Sequence, residues 1–420
     1  MDAGPMQYNG EWVRDSVAVA CGATLSGMEQ VGEAILERDL QRAVGEDGRT
    51  VDSSSHRPDS IIELDQNGEL LYALHTHWLW TGNDRLIRTY WPRIQKVADF
   101  VLRPVFSFPE TGLVKNEREF WERSAGYGVR DGYELSYQAW NVAGLEAASE
   151  LARHLNDNTA AARWLEASRR MKQAMLSHPK LSLIEDGRFI KRRLPDGKPQ
   201  WTMEPPDRQA MPPGMPLRVE KVSYCDPDTT MALPFVLGIA DPASELARKT
   251  MEAVEKLWNQ RWTGGGYGRY DVTSEPDSPG PWPFATLFVM RAYAEMGAWD
   301  KVWRGVDWLL NVQGARAGTW LEFYGERPSP PLPQVSYIVW NWAEILMFLV
   351  THLAGVTPQP NGIRVRPRLA PGLDRMDAHL RVRGRMLTLR VSRDKGQTVP
   401  SQGLLLPYSD SDTTVDLRCP

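Results

Sequence analysis

ELSYQAWNVAGLEAASELARHLNDNTAAARWLEASRRMKQAML, residues 134–176, decides the fold class. Its first half, 134–155, is apolar nearly all round, with small and aromatic residues interleaved, as in a helix enclosed by protein. Its second half, 157–176, is amphipathic and charged, as in a helix with one wet face. Asn156-Asp157 joins them, and an Asp there is a good N-cap for the second helix. An enclosed helix followed after a short link by an amphipathic one is an inner–outer hairpin.

Working outward, the same pairing recurs. The segment 16–27 is short and apolar, and 28–44 is charged. The segment 63–82 carries Leu70, Leu71, Leu74 and Leu79 and is followed directly by 84–102. The pairs 226–238 with 242–259 and 283–297 with 298–311 come later, and 334–353 stands alone. Asp241 reads as the N-cap before Pro242 in the first turn of the 242–259 helix. Links within pairs are short. Links between pairs, 106–133, 177–224, 260–282 and 312–333, are long, and loops of that size in a compact domain usually carry function. The pattern predicts a mainly α chain, an (α/α)6 helical toroid of hairpins over residues 1–355. Six inner helices but five outer ones place the missing partner upstream of residue 1.

From residue 356 the period changes from helical to two, predicting a small C-terminal β-sheet unit over 356–420. Residues 362–367, 379–382 and 386–391 alternate apolar and polar, with turns at Pro371-Gly372 and Arg383-Gly384. The arginines Arg364, Arg366, Arg368, Arg381, Arg383 and Arg390 read as a solvated sheet face. The polar segment after Lys395 reads as weakly ordered.

A net charge of −4 gives no reason to expect nucleic acid or an anionic membrane as partner. No apolar run is long enough to span a bilayer and no signal peptide is visible, so a cytoplasmic location is expected. Three cysteines imply no disulfide framework, and His75 and His77 point to different sides of a helix, so no metal site is expected. The 17 Trp outnumber both the 13 Tyr and the 10 Phe, which suits core filling and sugar stacking alike.

Two carboxylates stand out among the long links. Glu122 follows Trp121, and Glu322 lies two residues after Trp320. Cleaving a glycosidic bond takes two carboxyl groups, one to protonate the leaving oxygen and one to activate water or attack directly. Glu134 and Glu326 are the competitors for the two roles.

Four motifs in order resemble the glucoamylase family, glycoside hydrolase family 15. Trp12-Val13-Arg14-Asp15 matches its W-x-R-D, and Trp121-Glu122-Arg123 its W-E segment. Gly268-Arg269-Tyr270 with Pro281-Trp282 is similar to its G-R-Y … N-P-W run, with Gly280 in place of Asn. Leu321-Glu322-Phe323-Tyr324, then Trp340 to Glu344, is similar to its base segment and closing helix. The segment 62–68 resembles the L-D-x-x-G of the bacterial branch, which places Asp65 near the pocket. The family's R-x-D-G-P has no counterpart, Arg57 and Asp59 being loose substitutes, which weakens a claim on starch. The strand-rich tail looks more like those of maltose phosphorylases and rhamnosidases.

The resemblance implies an exo-acting, inverting, α-glucosidic hydrolase on an oligosaccharide or glycoside. Glu122 would be the acid and Glu322 the base. Trp12, Arg14, Asp15, Asp65, Trp121, Arg269, Trp282, Trp320 and Tyr324 would bind the sugar. No cofactor or metal is implied, and the oligomeric state is left open. The alternatives are a phosphorylase or rhamnosidase of the same clan, a lyase on a similar toroid, or a non-catalytic sugar-binding relative.

Overall fold

A computed structural model of the chain describes residues 11–50, 62–211, 221–261, 264–271, 280–325 and 337–419. Arg57, Asp59, Glu326 and the first residues of the expected last helix lie outside them.

The helices are α1 (Val13–Leu25), α2 (Glu29–Arg38), α3 (Asp65–Thr81), α4 (Arg85–Phe100), α5 (Leu135–His154) and α6 (Asn158–Ser177), followed by α7 (Leu233–Val236), α8 (Glu245–Val254), α9 (Pro283–Met296), α10 (Trp299–Asn311) and α11 (Trp340–Met347). Burial sorts them into two layers. In α1 eleven of thirteen residues are buried and in α9 twelve of fourteen, whereas in α10 only four of thirteen are. The enclosed elements touch in a closed circuit: α1 against α3, α3 against α5, α5 against α7, α7 against α9, α9 against α11, and α11 against α1. Among the described residues five outer helices, α2, α4, α6, α8 and α10, lie outside this ring. This is the (α/α)6 toroid that the hairpin pattern predicts.

Small residues set the ring's diameter. A Cβ on Gly68 of α3 would overlap the backbone of Trp140 in α5, and one on Gly144 would overlap Gly68. Neither helix can therefore move outward or inward without losing packing against the other.

Three local expectations are corrected. Helix α1 begins at Val13, because Trp12 is the extended N-cap residue, so Arg14 and Asp15 lie in its first turn. The fourth inner segment is also different: 226–238 holds a 3₁₀ turn, Thr229–Ala232, followed by the single turn of α7. Finally, Ser244 rather than Asp241 caps α8; Asp241 accepts from Ala243 N at 2.9 Å and so closes the preceding turn.

After α11 the chain forms two small sheets. Val356–Gln359, Gly362–Val365 and Leu404–Leu406 make one. The other pairs Arg375–Val382 with Arg385–Ser392 as a hairpin, adds Thr413–Arg418 in parallel, and ends at Gln397–Thr398. The segment after Lys395 is thus not a loose tail. Leu417 is 0% exposed in the sheet core, an apolar anchor that the polar composition hides. Nor is the arginine stripe all solvated. Arg366 and Arg368 pair with Glu295 at the end of α9, and Arg383 donates Nε–H to Leu79 O at 3.3 Å and its backbone N–H to Trp80 O, both at the end of α3. The sheets therefore dock where inner helices finish. No described helix is long and apolar enough to cross a membrane.

Candidate active site

The opposite end of the ring is where the inner elements begin, and the sequence-predicted residues gather there. The starts touch one another, or the Trp121 link between α4 and α5, through side chains. Arg14 of α1 donates Nε–H to Asp65 of α3 at 2.9 Å. Tyr137 of α5 donates its hydroxyl to Glu63, just ahead of α3, at 3.1 Å. Asp228, the N-cap of the 3₁₀ turn, accepts the Trp121 indole N–H at 3.0 and 2.9 Å. Phe284 of α9 stacks on Trp340 of α11 at 4.4 Å, and its centroid is 5.8 Å from Trp121.

Glu122 sits at the tip of this assembly. Its φ of 68° is left-handed, a conformation that costs a non-glycine residue about 1–3 kcal/mol and persists only where surroundings impose it. The imposing contacts are local. Its backbone N–H reaches Glu119 O at 2.8 Å, and Arg123 donates N–H and Nε–H to the Glu119 carboxylate at 2.9 and 3.1 Å. The turn holds the Glu122 side chain one-third exposed, 3.7 Å from Arg14 Nη1.

Arg14 is buried and anchored by carboxylates. Its Nη2 lies 2.8 Å from Asp65 and 3.3 Å from Glu63, and its guanidinium lies over the Phe120 ring at 4.4 Å. Glu63 also pairs with Arg118. Burial, opposed by Arg14 and reinforced by Glu63, lifts the fully buried Asp65 to about 6. Burial, opposed by Arg14 and reinforced by Glu122, lifts half-buried Asp15 to about 7. Burial together with Asp65 drives Glu69, one turn further along α3, well above the carboxylate range. The cluster thus holds more acid than cation and keeps part of it protonated near neutral pH.

An aromatic and guanidinium wall runs from Glu122 toward Glu322. The Arg269 guanidinium lies 5.5 Å from the Trp121 ring and 3.9 Å over Trp282. Trp282 stacks on Phe323 at 5.2 Å, and Phe323 is the neighbour of Glu322. The Glu322 loop is held by α11, whose Asn341 donates to the carbonyls of Trp320 and Leu321 at 3.2 and 3.0 Å. Glu322 itself is 8% exposed.

Several residues expected against a sugar have another part. Asp65 grips Arg14 from behind. Trp121 and Trp282 are 7% and 3% exposed, packed against Phe284, Phe323 and Arg269, so little of either ring is open. Tyr324 is 2% exposed; its hydroxyl donates to Gln313 O at 2.6 Å and its N–H to Pro281 O at 2.9 Å, bracing the loop. Trp320 is half-buried and donates to Leu309 O at 2.9 Å. Trp12, Asp15 and Arg269 remain partly open. Glu134, the competing acid, is sealed: it is 0% exposed and accepts from Phe120 N, Ser136 Oγ and Arg192 Nη1 at 3.0, 2.9 and 2.9 Å.

Sequence reasoning missed Glu63, Arg118, Glu119, Lys191 and Asp228. Glu119 was findable, because it stands four residues before Arg123 and the pair brackets the turn. Lys191 comes from the 177–224 link and Asp228 from the start of the next inner element, and neither carries a local signal.

No family model matches the chain. An uncharacterized glycosyl hydrolase of Methanocaldococcus jannaschii is 23% identical over 295 residues, and the chain spans about 40% of that relative's length. Among solved structures, a bacterial glucoamylase complexed with acarbose superposes with a TM-score of 0.61 at 18% identity, covering 82% of this chain and 49% of that one. A wild-type glycosidase gives 0.58 at 16%, covering 83% and 90%. A GH78 family rhamnosidase of Bacillus sp. GL1 gives 0.59 at 13%, covering 98% of this chain, sheets included, and 40% of that one. Together with the closed ring of inner helices, these likenesses make the chain an (α/α)6 toroid of the kind found in glucoamylase and rhamnosidase.

Proposed function

We propose that the chain is a glycoside hydrolase, exo-acting and inverting, that releases a terminal sugar from an α-glucoside, with a catalytic unit over 1–355 and a β unit over 356–420. The observation that carries this reading is the strained, half-open Glu122 turn beside Arg14, joined by Arg269, Trp282 and Phe323 to Glu322. The printed names of the relatives add support: one is a glycosyl hydrolase, and two solved neighbours are described with acarbose and with glucose.

In this reading Glu122 gives its proton to the glycosidic oxygen as the bond to the anomeric carbon breaks. Glu322 takes a proton from water as that water attacks the opposite face. The product then has inverted configuration, and the two carboxyl groups stand about 6.5–9.5 Å apart to admit the water. Asp15, Arg14 and Arg269 hold the terminal sugar through charge-assisted hydrogen bonds. Trp12, Trp320 and Phe323 supply its apolar contacts.

A panel of chromogenic α-glucosides, β-glucosides and α-rhamnosides, with and without phosphate, tests the proposal. The expected result is phosphate-independent hydrolysis of the α-glucoside, with β-glucose appearing first by proton NMR. The rhamnoside belongs in the panel because the rhamnosidase match spans the sheets as well as the ring. Turnover of none of the glycosides would leave a sugar-binding role.

A further inference from the structure

Behind the Glu122 turn lies a set of buried charges that binding a sugar does not require. Lys191 is 0% exposed, and its Nζ contacts both Glu119, 1% exposed, and Asp228, 0% exposed. Its backbone N–H donates to Asp226 at 2.9 Å. Asp228 also accepts the Thr230 N–H at 2.8 Å and hydroxyl at 2.7 Å, besides the Trp121 indole.

The same hub reaches the other side of the pocket. Thr229, next to Asp228, donates its N–H and its hydroxyl to Arg269 O at 2.9 and 3.0 Å. Glu119 fixes Arg123, so the residues just before and just after Glu122 are both tied to the hub, while the Glu122 side chain stays outside it. Removing three charges from water costs several kcal/mol per ion, and apolar residues of equal volume would fill the space at lower cost. What the ions provide, and apolar packing would not, is a fixed direction for the Trp121 ring and for the Arg269 backbone.

We propose that Lys191, acting through Glu119 and Asp228, is a positioning residue that sets the Trp121–Glu122 turn in register with Arg269. The proposal rests on the reading of Glu122 as the general acid. A misdirected acid harms reactions that need the leaving group protonated and spares those that do not.

The test compares kcat for maltose, whose leaving sugar needs a proton, with kcat for α-glucosyl fluoride, which needs little help. If the panel selects another sugar, its disaccharide and fluoride are used. Two variants serve. Asp228→Asn leaves Lys191 paired with Glu119, and Lys191→Met with Asp228→Asn removes both members of an ion pair. Each should lose at least about tenfold more on maltose than on the fluoride, within the range attributable to a general acid. KM should stay within about twofold, and the pH limb of the acid should shift. Equal losses on both substrates, or none, would overturn the proposal, and Asp228→Asn alone decides if the double variant does not fold. Glu122→Gln on the same substrates separates the two claims. If it shows no leaving-group dependence, the acid assignment fails; if it does and the hub variants do not, only the role of Lys191 fails.

Discussion

Arg14→Met should unfold the pocket in a pH-dependent way. The guanidinium is 5% exposed and neutralises a nest of carboxyls: Asp65 at 2.8 Å, Glu63 at 3.3 Å, and Glu69 close by. Even with Arg14 present, burial lifts Asp65 from 3.8 to about 6. At about 1.4 kcal/mol per unit, ionising it in the fold already costs about 3 kcal/mol. Removing the cation that opposes the shift lifts it further, and breaking such a buried pair costs about 3–5 kcal/mol. The sign follows from proton binding. Because the folded pKa lies above the unfolded one, the native state holds a proton that the unfolded chain releases. The contribution of Asp65 is therefore full below about pH 3.8 and is lost as pH rises through the folded value. In the variant that loss extends to higher pH. With an unfolding entropy of about 2.1 cal/mol/K per residue, a loss of 4 kcal/mol lowers Tm by roughly 4–5 °C. Thermal unfolding followed by circular dichroism from pH 5 to 8.5 should show the variant close to wild type at the acid end and well below it at the alkaline end. Arg14→Lys keeps a cation but loses the two-point grip on Asp65, and should fall between, by about 1.5–3 kcal/mol at pH 8. A deficit in Arg14→Met that is the same at pH 5.5 and pH 8 would refute the charge argument.

Glu122→Gln and Glu322→Gln should each lower activity on maltose by about 10²–10⁴-fold; azide should rescue the Glu322 variant and an activated leaving group the Glu122 variant, and the reverse pattern would exchange the two roles. Tyr324→Phe should cost about 1 kcal/mol of stability, from the lost bond to Gln313 O, and leave KM unchanged. A raised KM would return that hydroxyl to the sugar. Gly68→Ala, which helix propensity alone would favour by about 1 kcal/mol, should instead destabilise by about 1–3 kcal/mol because the new methyl meets the Trp140 carbonyl. A higher Tm would show that α3 and α5 have room to spare.

The ring was legible because enclosure leaves a composition: a helix with protein on every side has no polar face to show, as in α5 and α9. Turn chemistry was legible where one residue does the capping, as Asp157 does by accepting from Ala160 N. It failed at Asp241, because Ser244 stands three residues further on and the backbone path makes it the cap instead. In the site, motif order brought out Arg14, Glu122 and Arg269. It could not tell a residue that faces a sugar from one that holds such a residue, since Asp65 and Tyr324 carry the same groups in either part. Lys191 and Asp228 were invisible because their meaning lies in each other, thirty-seven positions apart.

The gathering of inner-helix starts at one mouth has a consequence for the return half of a catalytic cycle. Each helix start carries roughly half a unit of positive charge, fixed in the backbone and insensitive to pH. On the proposed mechanism Glu122 is an anion the moment its proton leaves, and it stands at the lip of the mouth where several of these partial charges converge. The new anion is met by dipoles already in place, with no ion to recruit and no side chain to swing. Recharging the acid then depends on solvent reaching a residue one-third exposed.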